Sequence, residues 1–194
     1  MSNSKLSKEV KAWISYDLGN SAFATTVVAA FFPIFYNQFW ASTIDPILSA
    51  EYLSWTLVIS NVALLFTAPL IGAITDISKT TKKLFITMVL ISISCVALLF
   101  FLEVGSWLYA LIFFGIANYF FSASNVLYDK ILVEITSPNL FSKISGYGYA
   151  WGYFGGGFLF LINAIMSLNP ELFGLSSQAD AIRWSFITVS VWWG

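Results

Sequence analysis

The chain has 194 residues, of which 58% are hydrophobic, 19% aromatic and only 10% charged, and it contains no histidine. A soluble domain carries about 25% charged residues, and a disordered segment has few aromatics, so the composition excludes both and leaves an integral membrane protein. The net charge of −1 gives no basic excess for nucleic acid, and Cys95 is the single cysteine. Without histidine or a second cysteine, no multi-cysteine zinc site or His-dependent triad can be assembled, and neither a cofactor nor a metal is expected.

The first element follows a short basic segment over 1–12, expected to be cytosolic, that carries Lys5, Lys8 and Lys11. A secretory signal has an apolar core of about 7–15 residues, whereas this one continues to Trp40 and includes Asp17, Asn20 and Pro33. It is read as a retained span, about 13–40. Charge-free windows over 18–44, 52–75, 84–102, 107–128 and 144–168 run from 19 to 27 residues. Roughly 20 residues of helix cross ~30 Å of hydrocarbon, so five spans follow, the later four over 52–75, 84–102, 107–128 and 144–168. The last apolar run, 184–194, rises about 16 Å and reads as a sixth span cut short. The expectation is an all-α membrane domain over 13–194.

Eight of the nine basic residues fall at one end of such a bundle: Lys5, Lys8 and Lys11, then Lys79, Lys82 and Lys83, then Lys130 and Lys143. Only Arg183 falls at the other, which predicts a cytosolic N-terminus under the positive-inside rule. Trp13, Trp40, Trp107 and Trp184 are expected as interfacial anchors.

Polar residues at membrane depth are costly and face a bundle interior or an aqueous path. Span one carries Asp17, Asn20, Ser21, Ala24 and Thr25 on one helical face, and span four carries Asn118, Ser122, Asn125 and Asp129. These stripes predict a polar path with Asp17 and Asp129 at its cytosolic mouth and Asn118 and Asn61 near the midplane. Span three is almost wholly aliphatic and is expected at the lipid-exposed periphery. Span five places Gly148, Gly152 and Gly156 at intervals of four, with Gly155 and Gly157 beside them, a pattern for close helix packing. Tyr147, Tyr149 and Tyr153 are interleaved, and Tyr147 and Tyr153 are taken with the path.

The link between spans two and three reads Gly72-Ala73-Ile74-Thr75-Asp76, followed by Lys79, Lys82 and Lys83. It resembles the Gly-x-x-x-Asp loop signature of the major facilitator superfamily, with Lys79 where that signature has its next glycine. Three further blocks resemble one branch, the autophagy-related vacuolar amino-acid effluxers and their bacterial relatives. They are Trp13, Tyr16-Asp17 and Asn20-Ser21-Ala22-Phe23, then Asn125-Val126-Leu127-Tyr128-Asp129 with Leu132, then Ser145-Gly146-Tyr147 with Ala150-Trp151-Gly152-Tyr153 and Gly155-Gly156-Gly157. Arg183, Phe186 and Trp192-Trp193 resemble the start of the family's sixth helix.

The resemblance implies the N-terminal six-helix half of a twelve-helix transporter, built from inverted three-helix repeats, with the solute site between two halves. A missing C-terminal half, or a second copy, would then complete it. It implies a secondary transporter of a small polar solute, amino acids in an efflux direction, seated in the cell membrane if the source is bacterial. Asp129, Gly72, Asp76, Lys79, Lys82 and Lys83 would form the cytosolic gate. The chain lacks the fourth-helix arginine of many proton-coupled members, so proton coupling through Asp17 or Asp129 stays open. The competing reading is a non-transporting scaffold or receptor whose polar stripes only join helices. An intramembrane enzyme would need a convergent catalytic constellation, which the sequence lacks.

Overall fold

A computed structural model describes residues 6–194, so Lys5 and the start of the 1–12 segment lie outside the described residues. Six long helices follow one another: α1 (Lys8–Trp40), α2 (Pro46–Ser78), α3 (Thr81–Phe101), α4 (Trp107–Ile135), α5 (Phe141–Leu168) and α6 (Gln178–Trp193). No strand occurs among the described residues. The first five are long and apolar enough to cross a membrane, and the architecture agrees with the all-α membrane domain expected.

Local chemistry sets the helix starts. The Ser7 hydroxyl accepts the Val10 N–H at the start of α1. Asp45 accepts the N–H groups of Ile47 and Leu48, ahead of Pro46 in the first turn of α2. Ser177 accepts the Asp180 N–H at the start of α6. Each satisfies donors that a helix N-terminus leaves unpaired.

The helices outrun the charge-free windows. α2 begins at Pro46 rather than near 52, α4 continues past 128 to Ile135, and α6 begins at Gln178 rather than 184. The windows mark membrane depth, whereas backbone hydrogen bonding carries a helix into the interface. Arg183, which bounded the expected sixth span, is accommodated inside α6 by donating Nε–H to the Phe100 carbonyl at 2.8 Å and pairing with Glu103.

α1 changes character along its length. Lys8–Ala22 is α-helical, Phe23–Phe31 is π-helical, Phe32–Phe35 returns to α, and Tyr36–Trp40 is again π-helical. Pro33 has no N–H to offer the preceding turn, so the i→i+5 register is interrupted there.

α1 runs parallel to α5, and α2 runs parallel to α4. The two pairs exchange if the first three helices are superposed on the last three with inverted direction, the three-helix repeat that the resemblance implies. α3 packs on α4 and α6. α2, not α3, is the most open helix: 11% of its apolar window is buried against 33% in α3. α3 closes one side of the bundle through Met88, Val89, Cys95 and Val96.

The main core lies at the end of the bundle away from the lysines. Phe23, Phe32, Phe35, Tyr36 and Trp40 of α1 meet Phe114 of α4 and Phe186 of α6. Phe32 stacks on Phe114 at 3.8 Å between ring centroids, and Trp40 on Phe186 at 5.6 Å. Trp13 and Trp40 are buried, so they are core residues and not the lipid anchors expected; Trp184 keeps an exposed face.

Candidate functional site

A cavity of about 220 Å³ opens between α1, α4 and α5 toward the lysine-bearing end. α1 contributes Asp17, Asn20, Ser21 and Ala24, which its 3.6-residue period places on one face. α4 supplies Asn125 and Asp129, and α5 supplies Ser145 and Tyr149 one turn apart. The Asn20 amide donates to the Asn125 side-chain oxygen at 3.3 Å, and Ser21 Oγ donates to Asn20 Oδ1 at 3.4 Å, joining the two stripes across the cavity. Asn20 is buried, Asp17 half-buried and Asp129 exposed. Among the described residues, neither aspartate forms a salt bridge, and no lysine or arginine lines the cavity.

Glycines set the spacing of this wall. A Cβ on Gly148 would lie 2.9 Å from the Trp13 ring, one on Gly152 2.6 Å from Ser21 Oγ, and one on Gly156 3.0 Å from the Ser21 carbonyl. Gly155 faces the Leu18 backbone with no room for a Cβ. Thr25 adds a hydroxyl bond to the Gly156 carbonyl at 3.3 Å. Of the two glycines expected beside this row, Gly155 packs and Gly157 faces open space.

Trp13 and Tyr128 hold one end of the cavity. Their rings stack at 4.1 Å, Trp13 Nε1–H donates to the Tyr128 carbonyl at 2.8 Å, and the Tyr128 hydroxyl donates to the Trp13 carbonyl at 2.9 Å. This reciprocal clamp ties α1 to α4. The sequence blocks contained both residues, but nothing in their spacing marks them as partners.

Of the path residues expected, Asp17, Asn20, Ser21 and Asn125 are brought together, and Asp129 joins them. Asn118 is buried and Ser122 half-buried on α4, both outside the lining. Asn61 is exposed on α2, away from the cavity. Tyr147 and Tyr153 point outward from α5, at 43% and 79% exposure, and Tyr149 occupies the wall instead.

The loop signature forms a second site at the same end. Lys130 Nζ contacts Asp76 at 2.5 Å and donates to Thr75 Oγ1 at 2.8 Å, tying the end of α2 to α4. Thr81 donates to Glu134 at 3.1 Å, tying α3 to α4. Asp76 thus pairs with Lys130, while Asp129, grouped with the gate from sequence, turns toward the cavity. Adjacent helical residues diverge by about 100°, which is why one faces α2 and the other α1. Gly72 is free of contacts that would exclude a side chain. Lys79 closes α2 with φ 52°, ψ 33°, the left-handed conformation that favours glycine. Its N–H still bonds the Thr75 carbonyl at 3.1 Å, so the tight turn forms without the signature's glycine.

Fold and cavity together define a multi-pass all-α membrane protein with a polar cavity at one end. It is 33% identical over 193 residues to the uncharacterized MFS-type transporter YxiO of Bacillus subtilis (strain 168), a match that spans 98% of this chain and 45% of that protein. The chain therefore spans about half the length of that relative. No family profile and no solved structure matches the chain.

Proposed function

We propose that this chain is the N-terminal six-helix half of a secondary transporter that moves a small polar solute by alternating access. The observation that carries the reading is the cavity between α1, α4 and α5. It holds two carboxylates and two amides and, among the described residues, no basic side chain. Fixed polar groups at membrane depth stabilise a solute only if it returns their lost hydrogen bonds and charge. Asp17 and Asp129 suit an ammonium group, while Asn20 and Asn125 offer donors and acceptors to a polar remainder. An amino acid meets both demands, and the resemblance to the amino-acid effluxers supports the same class and an outward direction. The same aspartates are the candidates for proton coupling.

In this reading the Asp76–Lys130 contact and the lysine loop form the cytosolic gate, with the N-terminus in the cytosol. Asn118, Ser122 and Asn61 are second-rank path residues that meet solute only when the helices shift. A second six-helix half, in a longer chain or a second copy, encloses the other side of the path. The role is transport and not catalysis.

The test is flux of a radiolabelled amino-acid mixture through proteoliposomes containing the protein, with Asp17→Asn in parallel. Wild-type flux lost in Asp17→Asn at equal membrane insertion is expected. Absence of flux in both, with no solute-dependent thermal stabilisation, would favour the scaffold reading.

A further inference from the structure

At the lysine-bearing end, a pocket of about 630 Å³ lies between the α2–α3 turn and α4. Lys79, Lys82, Lys83 and Lys130 line it against only Asp76 and Glu134. Both carboxylates are engaged, Asp76 by Lys130 and Glu134 by the Thr81 hydroxyl. Among the described residues, Lys79, Lys82 and Lys83 form no salt bridge. Thr80 gives α3 no side-chain cap, which leaves the first-turn N–H groups of the same pocket residues without one. The pocket is thus cationic by side chain and by backbone.

A second hollow, of about 270 Å³, begins at Lys82 and runs between α1, α3 and α4. Its walls are apolar: Trp13, Phe85, Ile86, Ile131 and Ile135. Glu9 also lines it and forms no salt bridge with Lys82. Lys82 therefore stands where a cationic pocket meets an apolar groove.

We infer that this junction is a binding site for one anionic phospholipid, its phosphate among Lys79, Lys82 and Lys83 and an acyl chain along the Phe85–Ile86–Ile131 groove. Charge complementarity selects the occupant: a zwitterionic lipid returns its own cation to a pocket already rich in lysine, whereas an anionic headgroup does not. A soluble phosphate would satisfy the lysines but leave the adjoining groove unfilled. The side is also appropriate, since basic pockets beside helices on the cytosolic face attract anionic headgroups. The site is separate from the cavity that holds Asp17 and Asn125, and it stands whether or not that cavity carries solute.

The test is native mass spectrometry and thermal unfolding of the purified full chain in detergent, titrated with phosphatidylglycerol, phosphatidylcholine or inorganic phosphate. Phosphatidylglycerol is expected to bind selectively and raise the melting temperature. Each single Lys79→Gln, Lys82→Gln or Lys83→Gln change should weaken it about fivefold, at roughly the increment one lysine contributes near an anionic surface. The triple variant should lose it by about a hundredfold, and arginine at the same three positions should restore it. Ile131→Ala should weaken the lipid without affecting any response to inorganic phosphate. Equal binding of the two lipids, unchanged phosphatidylglycerol binding in the triple variant, or full replacement of the lipid effect by phosphate would each overturn the assignment.

Discussion

From Lys8 to Ala22, α1 is an α-helix whose polar residues Asp17, Asn20 and Ser21 open onto a cavity shared with α4 and α5; from Phe23 to Trp40 it is largely π-helical and buried in aromatic rings. The two stretches belong to one apolar span, yet one sets Asp17 and Asn20 along the cavity and the other buries Phe32, Tyr36 and Trp40 completely. The contrast shows how a single helix can offer a polar mouth at one end of a bundle and a closed plug at the other. Packing between helices, and not transfer out of water, holds both ends within lipid, so close contact matters more than hydrophobicity as such.

Breaking the plug should have the largest effect. Phe32→Ala removes a ring stacked at 3.8 Å on Phe114 and should cost about 3–5 kcal/mol in a detergent unfolding titration. A loss below about 1 kcal/mol would mean that the aromatic half is loosely packed.

The polar half depends on its glycine seam. Gly155→Ala drives a methyl into the Leu18 backbone and should cost about 3 kcal/mol, whereas Gly157→Ala, facing open space, should stay within about 0.5 kcal/mol of the parent. Equal effects at the two positions would contradict the parallel α1–α5 contact.

Smaller effects are expected at the Asp76–Lys130 contact. Asp76→Asn weakens a contact with Lys130 in which the aspartate is 72% exposed, so it should cost only about 0.5–1 kcal/mol while loosening α2 from α4. Amide exchange at the end of α2 would report that loosening. Lys79→Gly relieves a left-handed residue at some cost in unfolded-chain entropy, and a net stabilisation of about 0.5 kcal/mol is expected from thermal unfolding.

The five long spans were legible because ionised side chains are too costly at membrane depth to interrupt them. Their ends were not, because Glu51, Lys130 and Glu134 sit comfortably on helix that extends into the interface. In the site, the 17/20/21 spacing led to the cavity-lining face of α1, since that stretch keeps an α-helical period. Beyond Phe23 the π register shifts the phase, so no fixed period identifies the aromatic plug. Tyr147 and Tyr149 are two residues apart and face different ways, and glycine spacing does not say which of them meets α1. The Trp13–Tyr128 clamp joins residues 115 positions apart, a pairing that single-sequence periodicity does not contain.

The central claim is that the cavity is a water-accessible path open at the lysine-bearing end and closed by the aromatic half of α1. It is tested most directly by cysteine accessibility in a Cys95→Ala background, with a membrane-impermeant thiol reagent applied from each side of oriented vesicles. Asn125→Cys should react from the lysine-bearing side only, and Phe114→Cys from neither. Reaction of Asn125→Cys from the opposite side, or its complete protection from both, would contradict the account.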